Sequence, residues 1–184
     1  MKQILFLVAS TRVDGVVGNT EALARRAAAT LPSSIEQRWE WLARRTLAPF
    51  VDHRHDIGSY PMPEGDARVL LDATLAADAL VFVAPVYWFS LPSPLKLYLD
   101  HYSAWMRVPG LDFKARMAGK PCWAISTSGD RAKAQPLFDS LKLCAEFLAM
   151  DWRGGLWGKG GAPGAIDQDA TALAEAAAFF ETRR

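Results

Sequence analysis

Cysteine is scarce in this chain of 184 residues, with only Cys122 and Cys144 present. They form no CxxC pair and show no zinc or iron–sulfur spacing, and two are too few for a disulfide framework. Both read as small hydrophobes in a reducing compartment. Long apolar runs are also missing. The longest, Ala79 to Phe89, contains Pro85 and is too short to cross a bilayer. The run Ile4 to Ala9 stops at Ser10-Thr11-Arg12, short of what a secretory signal needs. A cytoplasmic protein with no membrane partner is therefore expected. No charge dominates either: 21 Lys and Arg face 20 Asp and Glu, a net charge of +1. That balance argues against nucleic acid as a partner and against an acidic carrier that docks by its net field. Neither a Walker loop nor a GxGxxG occurs, and no Ser-His-Asp set is evident, so no catalytic residue is assigned. His53-Arg54-His55-Asp56, with His101 as the remaining histidine, reads as a solvated polar loop rather than a zinc site, and no metal is expected.

What is present is an alternation of apolar runs and helical patterns from end to end. Hydrophobic residues make up 51% and charged residues 22%, ordinary values for a folded domain. Ile4 to Ala9 and Ala79 to Ala84 are continuous apolar runs, as central strands covered on both faces require. Ile35 to Trp41 alternates, which marks an edge, with Trp39 and Trp41 turned to the core. Pro121 to Thr127 is a further strand, and the glycine-broken segment Asp151 to Trp157 a weaker one. Helices are predicted over Thr20 to Leu31, Gly65 to Ala77, Pro92 to Trp105, Pro136 to Met150 and about Asp167 to Phe180. The stretch from Leu42 to Glu64 has no period and reads as an irregular surface connection. Arg107, Lys114, Arg116 and Lys120 read as a mildly basic, solvated loop. Five strands alternating with helices specify an α/β fold, a five-stranded parallel sheet in order 2-1-3-4-5 between two helical layers. Residues 1–184 read as one domain.

Ligands in such sheets lie beyond the carboxyl ends of the strands, at the switch point between the first and third. Three loops meet there. The first, from Ser10 to Thr20, is rich in hydroxyls, holds Arg12, Gly15 and Gly18, and runs into a helix N-terminus. It is either a phosphate cradle or a plain turn whose Asn19 or Thr20 caps the helix. The second, Pro85-Val86-Tyr87-Trp88-Phe89, places three aromatics in succession. Neighbouring side chains of an extended segment point opposite ways, so at least one ring should face the crevice and offer a stacking wall. The third, Ser126-Thr127-Ser128-Gly129-Asp130, permits close backbone approach, though taken alone it reads as a plain turn after a strand. Together they describe a site for a mononucleotide with a large flat ring.

Ser10-Thr11-Arg12 with Gly18-Asn19-Thr20, then Pro85-Val86-Tyr87-Trp88, Pro92-Ser93-Pro94-Leu95-Lys96 and Asp100, resemble the NAD(P)H-dependent FMN reductase family of flavodoxin-like proteins. Quinone reductases and azoreductases belong to the same group. The resemblance implies a flavodoxin-like three-layer sandwich binding FMN, with NADPH or NADH as co-substrate. It also implies a small-molecule electron acceptor such as a quinone, an azo or nitro compound, or free flavin. Ser10, Thr11, Arg12, Gly18, Asn19 and Thr20 would hold the phosphate. Pro85, Val86, Tyr87, Trp88 and Phe89 would border the isoalloxazine, with Ser128, Gly129 and Asp130 closing its far side. Arg12 and Gly18 are separated by five residues, where the family often has two or three. Lys96 and Asp100 are read as an ion pair or a packing contact. Exposed aromatics around Trp88 and Trp105 suggest a homodimer. Two other readings of a flavin site remain: a flavodoxin-type electron carrier, and a binding module without turnover.

Overall fold

The computed structural model describes residues 1–13 and 15–181. Five strands, β1 (Gln3–Val8), β2 (Glu36–Trp41), β3 (Ala79–Val83), β4 (Pro121–Ser128) and β5 (Asp151–Lys159), form one sheet in the order β2-β1-β3-β4-β5. Every pairing is parallel. The continuous apolar runs are explained by two separate cores. Leu5 and Leu7 of β1 point into one, and Ile4, Phe6 and Val8 into the other. On the first side lie α2 (Gly65–Ala76), α3 (Ser93–Asp100) and α6 (Arg131–Phe147); on the second lie α1 (Asn19–Ala28) and α7 (Ala170–Ala178). Short helices α4 (Tyr102–Trp105) and α5 (Phe113–Met117) complete the set, with 3₁₀ turns at Leu42–Arg44 and Ala165–Gln168. The edge strand β2 does carry its tryptophans inward: Trp39 stacks on Phe6 with ring centroids 4.2 Å apart and planes 7° from parallel.

The glycines that make β5 look weak are what allow its neighbours to approach. A Cβ on Gly155 would lie 2.5 Å from the Phe138 ring of α6. One on Gly158 would lie 2.4 Å from Ile166 Cδ1 and 3.0 Å from Leu23 Cδ2. The strand is thus pressed on one face by α6 and on the other by α1 and the segment leading to α7.

Four expectations are corrected. The helix assigned from Pro136 begins at Arg131, because Asp130 caps it: its carboxylate accepts the N–H groups of Ala132 at 2.7 Å and Lys133 at 3.3 Å. Pro136 therefore lies inside the helix, where one backbone bond is lost. The run from Pro92 to Trp105 divides after Asp100 into α3 and α4. Trp105 is not a surface aromatic; it is 1% exposed, among Tyr98, Tyr102 and Phe113. Lys120 is not solvated either. Its Nζ donates to the carbonyls of Thr74 (2.8 Å), Leu75 (3.3 Å) and Ala77 at the end of α2. Burial draws its pKa down to about 8, against the opposing pull of Asp78.

The stretch from Leu42 to Glu64 is irregular as expected beyond its first turn, yet it is tied down. Arg45 bridges Glu40 (2.6 Å) and Asp66 (3.0 Å), and His101 Nε2 lies 2.9 Å from the carbonyl of Ala48. His53 pairs with Asp56 at 3.0 Å. Among the described residues no three His, Cys, Asp or Glu side chains group as a metal site, and no helix is long and apolar enough to cross a membrane. Burial pushes the Cys122 thiol up to about 12, which keeps it protonated and inert.

Two consequences are testable. Asp78 accepts the backbone N–H groups of Lys2 and Gln3, which holds its carboxyl below the ordinary aspartate range. A carboxyl depressed on folding contributes stability that is complete above the unfolded pKa and lost as pH falls through the folded one. Asp78→Asn should therefore lower Tm at neutral pH, and the gap from the parent should close on acidification below about pH 4, as thermal melts across pH will show. Gly158→Val should destabilise by about 1–3 kcal/mol through overpacking, read from denaturant unfolding.

Candidate cofactor site

The carboxyl ends of β1, β3, β4 and β5 converge on one cavity of about 290 Å³. Backbone bonds carry the parallel ladder past the strand ends and hold the loops in line. Ala9 N donates to Val83 O (2.9 Å), Ala84 N to Ile125 O (3.0 Å) and Gly160 N to Ser128 O (2.8 Å). Ten of the fourteen residues expected at the site line this cavity: Ser10, Arg12, Gly18, Asn19, Thr20, Pro85, Val86, Tyr87, Ser128 and Gly129. Thr11 lines a second cavity beside it. Trp88, Phe89 and Asp130 border neither.

The first loop departs from a simple turn in one decisive respect. Gly18 occupies the N-cap of α1 with extended backbone, and no side chain caps the helix. The N–H groups of Asn19, Thr20 and Glu21 precede the first intrahelical bond, Ala22 N to Gly18 O at 2.9 Å. Helices α2 and α3 also begin without a side-chain cap; what distinguishes α1 is that its open end, Gly18 to Glu21, lines this cavity. The two side chains that might have capped it are committed elsewhere. Asn19 Nδ2 donates to Ala162 O at 3.0 Å, and its Oδ1 accepts Ile166 N at 3.4 Å. Thr20 Oγ1 lies 2.6 Å from Thr127 Oγ1. These contacts lock the walls and leave backbone donors for a ligand. Arg12 adds a full charge; among the described residues its guanidinium has no hydrogen-bond or ion-pair partner. The side chain folds back across Gly18, where a Cβ would come within 3.0 Å of its Nε. A side chain there would displace the Arg12 guanidinium, although the φ of −86° suits any residue.

Among the described residues Glu21 is the one carboxylate in the wall, and it is paired from within. Its Oε1 accepts Arg25 Nε (2.9 Å) and Nη2 (2.7 Å), and its Oε2 accepts Trp41 Nε1 at 3.3 Å. A carboxylate so engaged repels an anion less than a free one would.

The aromatic loop is a two-residue hairpin. Tyr87 and Ser90 exchange backbone bonds (3.3 and 3.1 Å), and both central residues have positive φ, 49° at Trp88 and 61° at Phe89. That is type I′ geometry. Bulky residues in the left-handed region cost about 1–2 kcal/mol each. The strain aims the side chains outward: Trp88 is 93% exposed and Phe89 56%. Tyr87 stays at the cavity, its OH accepting from Thr11 Oγ1 at 3.3 Å and joining the first two loops.

Four lining residues lie outside the set assigned to the flavin: Thr127 of the third loop, and Glu21, Gly160 and Gly161. The glycines follow β5, and the rule that ligands lie at strand carboxyl ends applies to that strand too. Gly160 lies so near Thr127 that a Cβ would come within 3.0 Å of it. Ser128 is oriented from this side as well, since Trp157 Nε1 donates to its Oγ at 2.8 Å.

The chain is 31% identical over 167 residues to YwqN of Bacillus subtilis, provisionally named an NAD(P)H-dependent FMN-containing oxidoreductase. The match covers 89% of this chain and 90% of the relative. The solved Trp repressor binding protein of B. subtilis superposes with a TM-score of 0.73 at 26% identity, covering 97% of each chain. An FMN-dependent NADH-azoreductase of Bacillus anthracis, solved in complex with FMN, superposes over the full length of both chains with a TM-score of 0.68. At 16% identity that likeness shows the fold alone. The family model for NADPH-dependent FMN reductase matches residues 2–161, and the chain belongs to that family.

Proposed function

We propose that this chain is an NAD(P)H-dependent FMN-containing oxidoreductase that delivers electrons to a small acceptor. The observation that carries the reading is the uncapped N-terminus of α1, which opens, with an Arg12 that has no partner among the described residues, onto a cavity walled by Pro85, Val86 and Tyr87. Backbone donors and a guanidinium suit the phosphate of FMN; the proline–valine–tyrosine wall and the small residues Ser128 and Gly129 suit the edges of its ring. The name of the B. subtilis relative supports the same assignment. FMN, when bound, supplies the hydride-accepting centre and the route to a second substrate.

The chain's own share is binding, orientation and shielding. Donors around Gly18 to Glu21 fix the phosphate end, and Tyr87 holds the ring end through its bond to Thr11. No described side chain at the cavity is placed as a free acid or base, because Glu21 is bound to Arg25 and Trp41. The protruding Trp88 offers a face on which a flat acceptor can stack, which favours quinones, azo and nitro compounds or free flavin as the class.

Anaerobic addition of NADPH or NADH to the flavin-loaded protein should bleach the visible flavin absorption, and a quinone or azo dye should restore it. Flavin that stays oxidised with both nucleotides would remove the oxidoreductase reading. Gly160→Val, which fills the wall against Thr127, should weaken FMN binding at least tenfold in a fluorescence titration. Its Tm should fall less than that of Gly158→Val, whose Cβ would meet the buried Ile166 at 2.4 Å.

A further inference from the structure

Of the large apolar side chains that stand exposed among the described residues, only Leu143 (65%) and Phe147 (61%) lie on a helix or strand. The others sit at the amino terminus, in loops or in the 87–90 hairpin. A loop can turn such a group inward, but α6 is fixed by the buried Leu137, Leu141 and Ala145 on its inner side. Leu143 and Phe147, one turn apart, border an apolar groove of about 260 Å³ whose other wall is Leu99, Tyr102 and Met106 of the α3–α4 segment. An exposed apolar surface held rigidly in this way marks a contact site. We propose that the groove docks a second copy of this chain, with the two α6 helices crossing antiparallel over Leu143 to Phe147. The inference goes beyond the cofactor reading and does not rest on it.

Three observations select a second copy as the occupant. The first is spacing. A twofold axis level with Cys144 and Ala145 sets Leu143 of each copy against the partner's Phe147, so one contact covers both exposed groups on both copies. The second is charge. Lys142 and Glu146 flank the apolar pair, 3.7 Å apart on the same helix, and the same axis brings each Lys142 beside the partner's Glu146. On the opposite rim Lys96 and Asp100 of α3 pair at 2.5 Å, near Cys144. Both rims thus carry both signs, which complements itself under twofold symmetry. Neither offers the single-sign field that a nucleic acid or an anionic lipid surface requires. Lys114 lies 4.3 Å from the centroid of the Phe147 ring and helps to fix its orientation. The third is the net charge of +1, which leaves no long-range repulsion between copies. The face is remote from the cofactor cavity: α6 starts beside it at Arg131, and Leu143 follows about 18 Å along the helix. It is also distinct from the hairpin tip at Trp88.

Sedimentation equilibrium of the full chain across micromolar concentrations, with and without FMN, tests the pairing. The parent should form dimers. Leu143→Glu and Phe147→Glu should each raise the dimer dissociation constant at least tenfold. Their melting curves should match the parent's monomer, since both side chains are exposed and glutamate suits a helix. Lys142→Glu, which faces the partner's Glu146 with a like charge at two symmetric places, should weaken the dimer about fivefold. Adding Glu146→Lys to that variant should restore it. A parent that stays monomeric, whatever other protein the groove then holds, would overturn the proposal. So would a dimer that survives both glutamates, or one lost only with Trp88→Ala. An unaltered dimer in Lys142→Glu would overturn the antiparallel crossing. Failure of the parent to bind FMN would instead overturn the cofactor reading and leave the pairing standing.

Discussion

Everything at the site depends on one helix end left open. The N-terminus of α1 presents to the cavity backbone donors that no described side chain satisfies. Each bond from such a donor to a charged oxygen contributes about 1.5–3 kcal/mol, against about 0.3–1 kcal/mol from the helix dipole. Local hydrogen bonds, more than the dipole, therefore favour a phosphate there. Asn19 and Thr20, both typical capping residues, are held away from the role by Ala162, Ile166 and Thr127. The fold keeps the donors open by occupying the groups that would close them.

The same principle extends to the rest of the cavity. Tyr87 is tied to Thr11, and Ser128 is held by Trp157, so each wall is oriented from the strand behind it. Strain is placed where exposure is useful: the left-handed Trp88 and Phe89 form the tip of a hairpin beside the cavity instead of collapsing onto the core. A rigid parallel sheet with covered faces carries this cost, since both cores are closed independently of the loops.

Much of this was legible from residue order. Continuous apolar runs identified β1 and β3, alternation identified the edge strand β2, and the sheet order followed from both. Three loops of unusual composition pointed to the site, and most of their residues line it. What escaped has physical causes. Pro136 resembled a helix start, but the capping carboxylate of Asp130, six residues before the helix was assigned to begin, overrides that signal. Lys120 and Trp105 belong by type at the surface or its margin; only tertiary contacts, the open carbonyls of α2 and a cluster of aromatics, bury them. Gly155 and Gly158 weaken β5 as a pattern while serving it as a packing surface. The weakness of that strand hid the loop after it, and with it Gly160 and Gly161.

The central claim is that the chain grips the cofactor by its phosphate as well as by its ring. Parallel equilibrium titrations with FMN and riboflavin, which differ by that group alone, test it most directly. The account predicts that FMN binds at least a hundredfold more tightly, since several charge-assisted bonds are lost with the phosphate. Equal affinities for the two would contradict it.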